Sequence, residues 1–221
     1  MKQIAEVVGL VTQNIKSFML VPVQLPFGKT IFQTKDGHSI TSDSAFLVEI
    51  ISDHILQKNI NLLELGSGNG IISIMLSHYH PKWKIMGIEI QKHLMELSRD
   101  NAKLSETSPT FTKADLREFT SSQKYDLIIS NPPYFPKYMG RISPIQERAI
   151  SRHEITCNMM DILKCAKRNL KNSGNAFILY PLNRWNDIDN FAKKVDLKTR
   201  KKFVLDSEES KKKVIVELVH A

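Results

Sequence analysis

A short apolar run that breaks into three alternating glycines and leads at once into a second apolar stretch leaves a chain few ways to fold. Residues 61–65, Asn-Leu-Leu-Glu-Leu, suit a buried strand, Gly66, Gly68 and Gly70 follow at every second position, and a helix begins near Ile71. Strand, glycine turn and helix N-terminus let backbone approach a ligand closely and aim N–H groups at it. The spacing departs from the G-x-G-x-x-G of dinucleotide enzymes, whose third glycine lies inside the helix, and no Walker lysine follows. Glu64, two residues before the turn, disfavours a pyrophosphate and suits a cationic ligand.

The same alternation continues downstream. A second strand over 84–88 ends in Glu89, about 20 residues past the glycine turn, the distance at which an acid meets ribose hydroxyls in this architecture. A helix over 91–105 points Leu94, Leu97 and Leu104 inward, a third strand lies near 110–112, and Asp115 stands just beyond it. Glu64, Glu89 and Asp115 are therefore expected at three successive strand tips, the edge where ligands bind in open α/β sheets.

The fourth strand, Tyr-Asp-Leu-Ile-Ile-Ser over 125–130, runs directly into Asn131-Pro132-Pro133-Tyr134. Its nearly continuous hydrophobicity suits a strand buried on both faces of a parallel sheet. A residue before proline is held extended, and two prolines fix φ while offering carbonyls and no donors. The outcome is a rigid, acceptor-rich corner followed by an aromatic ring. A planar amine on a ring fits it: two N–H groups donate to the Asn131 side chain and the Pro132 carbonyl, and Tyr134 stacks on the ring face.

Composition sets the limits on everything else. With 221 residues, 42% hydrophobic and 24% charged, one substantial core is expected. No apolar run is long enough to span a bilayer and the first residues lack a secretory pattern, so the cytoplasm is the expected location. Cys157 and Cys165, eight apart on an expected helix, are too far separated to pair. No cysteine or carboxylate cluster joins His78 and His80, and no metal is expected. A net charge of +8, with basic runs at 193–194, 198–202 and 211–213, favours a polyanionic partner such as RNA.

At the amino end, residues 2–16 carry apolar residues at helical spacing, and residues 19–40 read as short β pieces with Asp36-Gly37 as the hairpin turn. We take residues 1–40 as a helix and hairpin extension and 41–221 as the principal domain. Thr41-Ser42-Asp43-Ser44 offers caps to a helix bearing Phe46, Leu47, Ile50, Ile51 and Ile55. Beyond the fourth strand, residues 135–150 form an inserted loop, and Ser151 and Glu154 make a capping box for a helix running to about residue 171. Arg141, Arg148 and Arg152 are placed either to hold phosphates or to lie on the surface. Gly174 ends that helix, a fifth strand spans 175–180, a helix spans 185–194, and strands at 202–205 and 214–219 form a closing antiparallel hairpin.

In E-x-G-x-G-x-G at 64–70, the acid at Glu89 and the Asn131 to Tyr134 tetrapeptide, the chain resembles class I S-adenosylmethionine-dependent methyltransferases. The resemblance implies a Rossmann-like fold whose mostly parallel seven-stranded sheet, ordered 3-2-1-4-5-7-6, has one antiparallel strand. It implies S-adenosylmethionine as cofactor, with Glu64, Gly66 and Gly68 around its methionine part, Asp43 near the methionine end, Glu89 on the ribose and Asp115 with the Leu116 backbone on the adenine. Asn131, Pro132 and Tyr134 would hold the substrate base. The β extension, residues 41–44, residues 131–136 and residues 148–154 resemble bacterial tRNA adenine-N6 methyltransferases acting on valine tRNA beside the anticodon, although Thr41-Ser42-Asp43 replaces Gly-Thr-Asp. The same tetrapeptide resembles that of release-factor glutamine methyltransferases. A non-catalytic RNA-binding module is the remaining class.

Overall fold

The computed structural model describes residues 19–35, 42–132, 157–205 and 212–221. The expected helix at 2–16, the Asp36-Gly37 turn, Thr41, residues 133–156 with Tyr134, Arg141, Arg148 and Arg152, and the turn at 206–210 lie outside the described residues.

Among the described residues the main sheet has seven strands: β3 (Asn61–Leu65), β4 (Lys84–Glu89), β5 (Thr110–Lys113), β6 (Tyr125–Ser130), β7 (Leu170–Pro181), β8 (Leu197–Leu205) and β9 (Lys213–His220). Their order is β5-β4-β3-β6-β7-β9-β8. Only β9 runs against its neighbours, pairing antiparallel with both β7 and β8. This is the 3-2-1-4-5-7-6 arrangement with one reversed strand. The central strands are buried on both faces, with Leu62, Leu63, Ile128, Ile129, Phe177 and Leu179 all removed from water, which is why they read as continuous apolar runs.

Helices α1 (Ser42–His54), α2 (Ile71–Tyr79) and α3 (Lys92–Leu104) pack successively against one another, and α4 (Met159–Asn169) packs against α5 (Trp185–Lys194). α2 is buried nearly all round, from Ile71 to Ser77, so it lies inside its layer. α3 is amphipathic and buries Leu94, Met95 and Leu97.

A separate two-stranded hairpin, β1 (Leu20–Gln24) with β2 (Thr30–Thr34), precedes this core. Its turn is at Pro26-Phe27-Gly28: Leu25 N–H donates to the Lys29 carbonyl at 2.7 Å and Gly28 N–H to the Leu25 carbonyl at 3.0 Å. Gly28 supplies φ +82°, a conformation costly to any residue with a Cβ. The buried Asn101 amide of α3 then satisfies β2 by exchanging hydrogen bonds with the Phe32 backbone, 2.8 Å each way, and also donates to the Asn69 carbonyl at 2.9 Å. One side chain thus ties the hairpin to the glycine turn.

Three expected boundaries are corrected. α4 starts at Met159: Asn158 is extended and forms a complete capping box with Asp161, so no continuous helix runs from Ser151 through this point. Gly174 does not end a helix but lies inside β7, where an added Cβ would meet Leu170 Cδ1 at 2.8 Å and the Asp126 carbonyl at 3.0 Å. The glycine is there for close approach, not for a turn. β8 also begins at Leu197, five residues before its expected start, because consecutive cations hide a strand whose first residue is fully buried.

Candidate functional site

The topology sets four strand tips in a row along one sheet edge: Asp115 beyond β5, Glu89 at the end of β4, the turn at 66–70 beyond β3, and Asn131-Pro132 beyond β6. At about 4.8 Å per strand this row spans ~15 Å. Direct hydrogen bonds tie each tip to the next. Ala114 N–H donates to the Glu89 carbonyl at 3.0 Å, Gly66 and Ser67 N–H both reach the Ile88 carbonyl, and Ser130 Oγ donates to the Leu65 carbonyl at 2.9 Å. Asn131 is half-buried and Pro132 buried.

The glycines of the turn divide by purpose. Gly66, Gly68 and Gly70 all have positive φ, of +72°, +55° and +85°. A Cβ at Gly66 or Gly68 would meet nothing within 4 Å, whereas one at Gly70 would lie 2.8 Å from Phe111 Cζ and from Ser98 Cβ. The first two therefore border open space at the sheet edge, and the third is required for packing. Gly70→Ala combines backbone strain with overpacking, and we expect a loss of ~3 kcal/mol, read as a melting temperature roughly 6–12 °C lower. Gly68→Ala carries only the backbone strain and is expected to melt nearer the parent while obstructing the open side of the turn.

Glu89 is nearly buried and holds the turn in place. Its Oε2 accepts from Gly68 N–H at 3.0 Å and its Oε1 from Gln91 N–H at 2.8 Å. Burial pushes its carboxyl above the usual range, opposed by hydrogen bonds from the Gln91, Gly68 and Ile90 backbones and by His93. Among the described residues Ser67 Oγ, in the turn, is buried without a hydrogen-bond partner.

Glu64 lies deeper, in β3, and its Oε2 accepts from Ser73 Oγ at 2.5 Å and Ser73 N–H at 3.2 Å. Burial raises its carboxyl to about 8, the Ser73 hydrogen bonds pull it down, and Glu89 raises it further. The ligand-free protein therefore carries Glu64 protonated at neutral pH. The unfolded chain ionises it near 4.5 while the native state keeps the proton, so native stability falls by ~1.4 kcal/mol per pH unit between those values and levels off above about 8. Glu64→Gln should flatten that slope and raise the ligand-free melting temperature at pH 8 relative to the parent. A melting series from pH 5 to 9 reads both.

Asp115 is held by Arg117, whose Nε and Nη2 make a fork on both carboxylate oxygens at 3.0 and 2.5 Å. That guanidinium pulls the Asp115 carboxyl below its ordinary value. The loop carrying it is clamped from α4: Arg168 donates to the carbonyls of Leu116 at 2.8 Å, Arg117 at 3.1 Å and Phe119 at 3.0 Å. The Leu116 carbonyl is thus engaged within the protein.

Asp43, in the first turn of α1, is buried and pairs with Lys213 Nζ at 3.3 Å, the two side chains being only 9% and 12% exposed. Lys213 opens β9 opposite Pro181, the last residue of β7, which brings Asp43 to the same end of the sheet as the strand tips. Sequence reasoning missed Lys213, which reads as one member of a solvated lysine run, and missed Ser73, Arg117 and Arg168. Tyr134, Arg148 and Arg152 belong to the undescribed residues. Among the described residues no group of His, Cys, Asp and Glu could hold a metal ion. His78 stacks on Phe27, and His80 stacks on Trp83 and bonds Ser52.

A parallel α/β sheet with a reversed strand next to its edge, and a glycine turn and Asn-Pro corner on neighbouring strand tips, defines the class I methyltransferase fold. M. jannaschii TYW2, solved in complex with AdoMet, shares this fold with a TM-score of 0.62 and 14% identity, over 93% of this chain and 88% of that one. The sequence profile of the methyltransferase small domain matches residues 37–184, about two thirds of the chain, and the protein belongs to that family. A Porphyromonas gingivalis protein named tRNA1(Val) (adenine(37)-N6)-methyltransferase is 31% identical over 137 residues, 59% of this chain. The chain spans about half, 53%, of that relative's length. A Streptococcus pneumoniae release factor glutamine methyltransferase is 37% identical over 92 residues, 41% of this chain and 32% of that one.

Proposed function

We propose that the protein transfers a methyl group from S-adenosylmethionine to the exocyclic N6 amine of an adenine in RNA, in a tRNA near the anticodon. The observation that carries the reading is the Asn131-Pro132 corner fixed one strand away from the glycine turn, with Ser130 hydrogen-bonded to Leu65 between them.

The ligand-side features support the cofactor. The open space beside Gly66 and Gly68, the unpartnered Ser67 hydroxyl and the carboxylates on either side suit an elongated nucleoside with an amino-acid tail. Glu89, already organised by two backbone N–H groups, would accept ribose hydroxyls; Asp115 and the Leu116 backbone would meet the adenine. Gly66, Gly68, Glu64 and the Lys213-held Asp43 would lie toward the methionine end. When bound, S-adenosylmethionine supplies a methyl group on a sulfonium cation, open to in-line displacement.

The protein's own part is to prepare the amine. Adenine N6 is a weak nucleophile because its lone pair is delocalised into the ring. The Asn131 side-chain oxygen and the Pro132 carbonyl each accept one of its N–H groups, which localises the lone pair toward the methyl donor. Tyr134 is assigned to stack on the base. An unpaired anticodon-loop base needs little energy to leave its stack. A reaction on tRNA suits a cytoplasmic protein.

A glutamine side-chain amide presents the same planar amine, and the release-factor relative keeps this second reading in play. Its alignment covers 92 residues against 137 for the tRNA relative, and the +8 charge suits RNA. The deciding experiment is transfer of labelled methyl to unmodified total tRNA, a release factor and duplex DNA in parallel, followed by nucleoside and amino-acid analysis. N6-methyladenosine in tRNA is expected; label in the release factor would replace this reading with the second.

A further inference from the structure

Edge strand β8 gathers Lys198, Arg200, Lys201 and Lys202, all exposed. The pairing of β8 with β9 shifts between Thr199 and Lys201, an irregularity that leaves Arg200 as the extra residue and reverses the alternation of faces after it. Thr199 bonds Asp189 of α5, and Lys202 lies 4.8 Å over the Trp185 ring of α5. On the opposite face Lys201 lies 4.7 Å over Phe203, which packs on His54 of α1, and Arg200 reaches Glu217 at 3.4 Å. Lys198, next to Thr199 in the strand, shares that second face. With the bulge, Lys198, Arg200 and Lys201 share one side of the edge and Lys202 lies on the other. Among the described residues, Lys198, Lys201 and Lys202 have no carboxylate partner, whereas the nearby Lys193 is paired with Asp189.

We propose that this bulged β8 edge, with Trp185 at the start of α5, is the surface on which the RNA substrate docks. The inference rests on the RNA reading above and names its contact surface. Leu205, the last residue of β8, pairs with Lys213, and Lys213 with Pro181, so the strand ends at the same sheet edge as the Asn131 corner. Three strand spacings, ~15 Å, separate β8 from β6. Lysines on an edge strand also deter strand-to-strand association. That role needs neither cations on both faces nor the half-buried Trp185 and Phe203 rings beneath them, a basic and aromatic combination suited to a single-stranded segment.

The test is binding of an unmodified tRNA transcript to the intact protein over 50–300 mM salt. Lys198, Lys201 and Lys202 are changed together to Gln, and a charge-matched exposed set, Lys82, Lys84 and Lys103, is changed at the opposite edge, where β4 begins and α3 ends. Each lost phosphate contact lowers the log–log salt slope by about 0.7–0.9. The β8 triple variant is expected to lose roughly two units of slope and at least tenfold in affinity, with melting temperature and S-adenosylmethionine binding unchanged. Single Lys198→Gln and Lys201→Gln variants, each expected to lose somewhat under one unit, keep the test intact if the triple variant is unstable. An unchanged slope in the β8 variants, or an equal loss in the other set, overturns the proposal, as does weakened binding of a release factor with tRNA binding unaffected. A parent protein that binds tRNA through β8 yet transfers no methyl to it would instead fault the catalytic reading and leave the docking surface standing.

Discussion

Replacing Asn131 with alanine should lower single-turnover methyl transfer by at least about 10²–10³-fold, the range seen when one preorganised polar contact to a reacting group is removed. S-adenosylmethionine affinity should stay within about threefold of the parent. The asymmetry follows from position. Asn131 directly follows β6, while the proposed cofactor contacts come from β3, β4 and the loop after β5. Its backbone is fixed by Pro132, so truncation removes the amide oxygen without releasing the corner. The Pro132 carbonyl alone would then accept from the amine, and one N–H would be left without its acceptor. Asn131→Asp keeps an acceptor oxygen and should retain more activity than alanine. Normal turnover in the alanine variant would remove the amine-holding role.

Glu89→Ala should weaken S-adenosylmethionine and S-adenosylhomocysteine alike by roughly 10²-fold, the equivalent of two charge-assisted hydrogen bonds at ~1.5 kcal/mol each. The effect should be in binding rather than in the transfer step at saturating cofactor. The substitution also orphans the Gly68 and Gln91 N–H groups that the carboxylate now satisfies at 3.0 and 2.8 Å, adding ~1–3 kcal/mol of destabilisation. Glu89→Gln separates the two consequences. Its amide oxygen can still accept from one backbone N–H and preserve part of the turn, but its NH2 group cannot accept the second ribose hydroxyl. Titration calorimetry on both variants reads affinity directly, and a change smaller than threefold in the alanine variant would detach Glu89 from the ribose.

The row of strand tips was legible because each tip is announced locally. A buried strand, a glycine turn and a helix start lie within ten residues around Gly66, and an acid or an Asn-Pro pair follows each later strand directly. What was illegible falls into two kinds. Element limits failed where two local signals competed: Gly174 looks like a helix stop but makes room for Leu170 and the Asp126 carbonyl, and the cations of β8 look like a solvated loop although Leu197 and Thr199 pair in register with β9. Contacts failed where they join distant segments. Nothing near residue 213 in sequence says that Lys213 meets Asp43, nor does anything near Arg168 say that it clamps the loop carrying Asp115.

Local sequence was enough to set the α/β class and the order of the strand-tip residues, because periodicity, glycine spacing and proline restriction act over a few residues. The tertiary structure alone decided which ionisable groups are paired or protonated. Burial sets Glu64 to about 8, Arg117 holds Asp115 down, and Lys213 reaches Asp43 across the sheet end. The physical reason is that dielectric and charge environment are properties of the packed neighbourhood, and neighbours brought together by a sheet crossover leave no trace in local sequence.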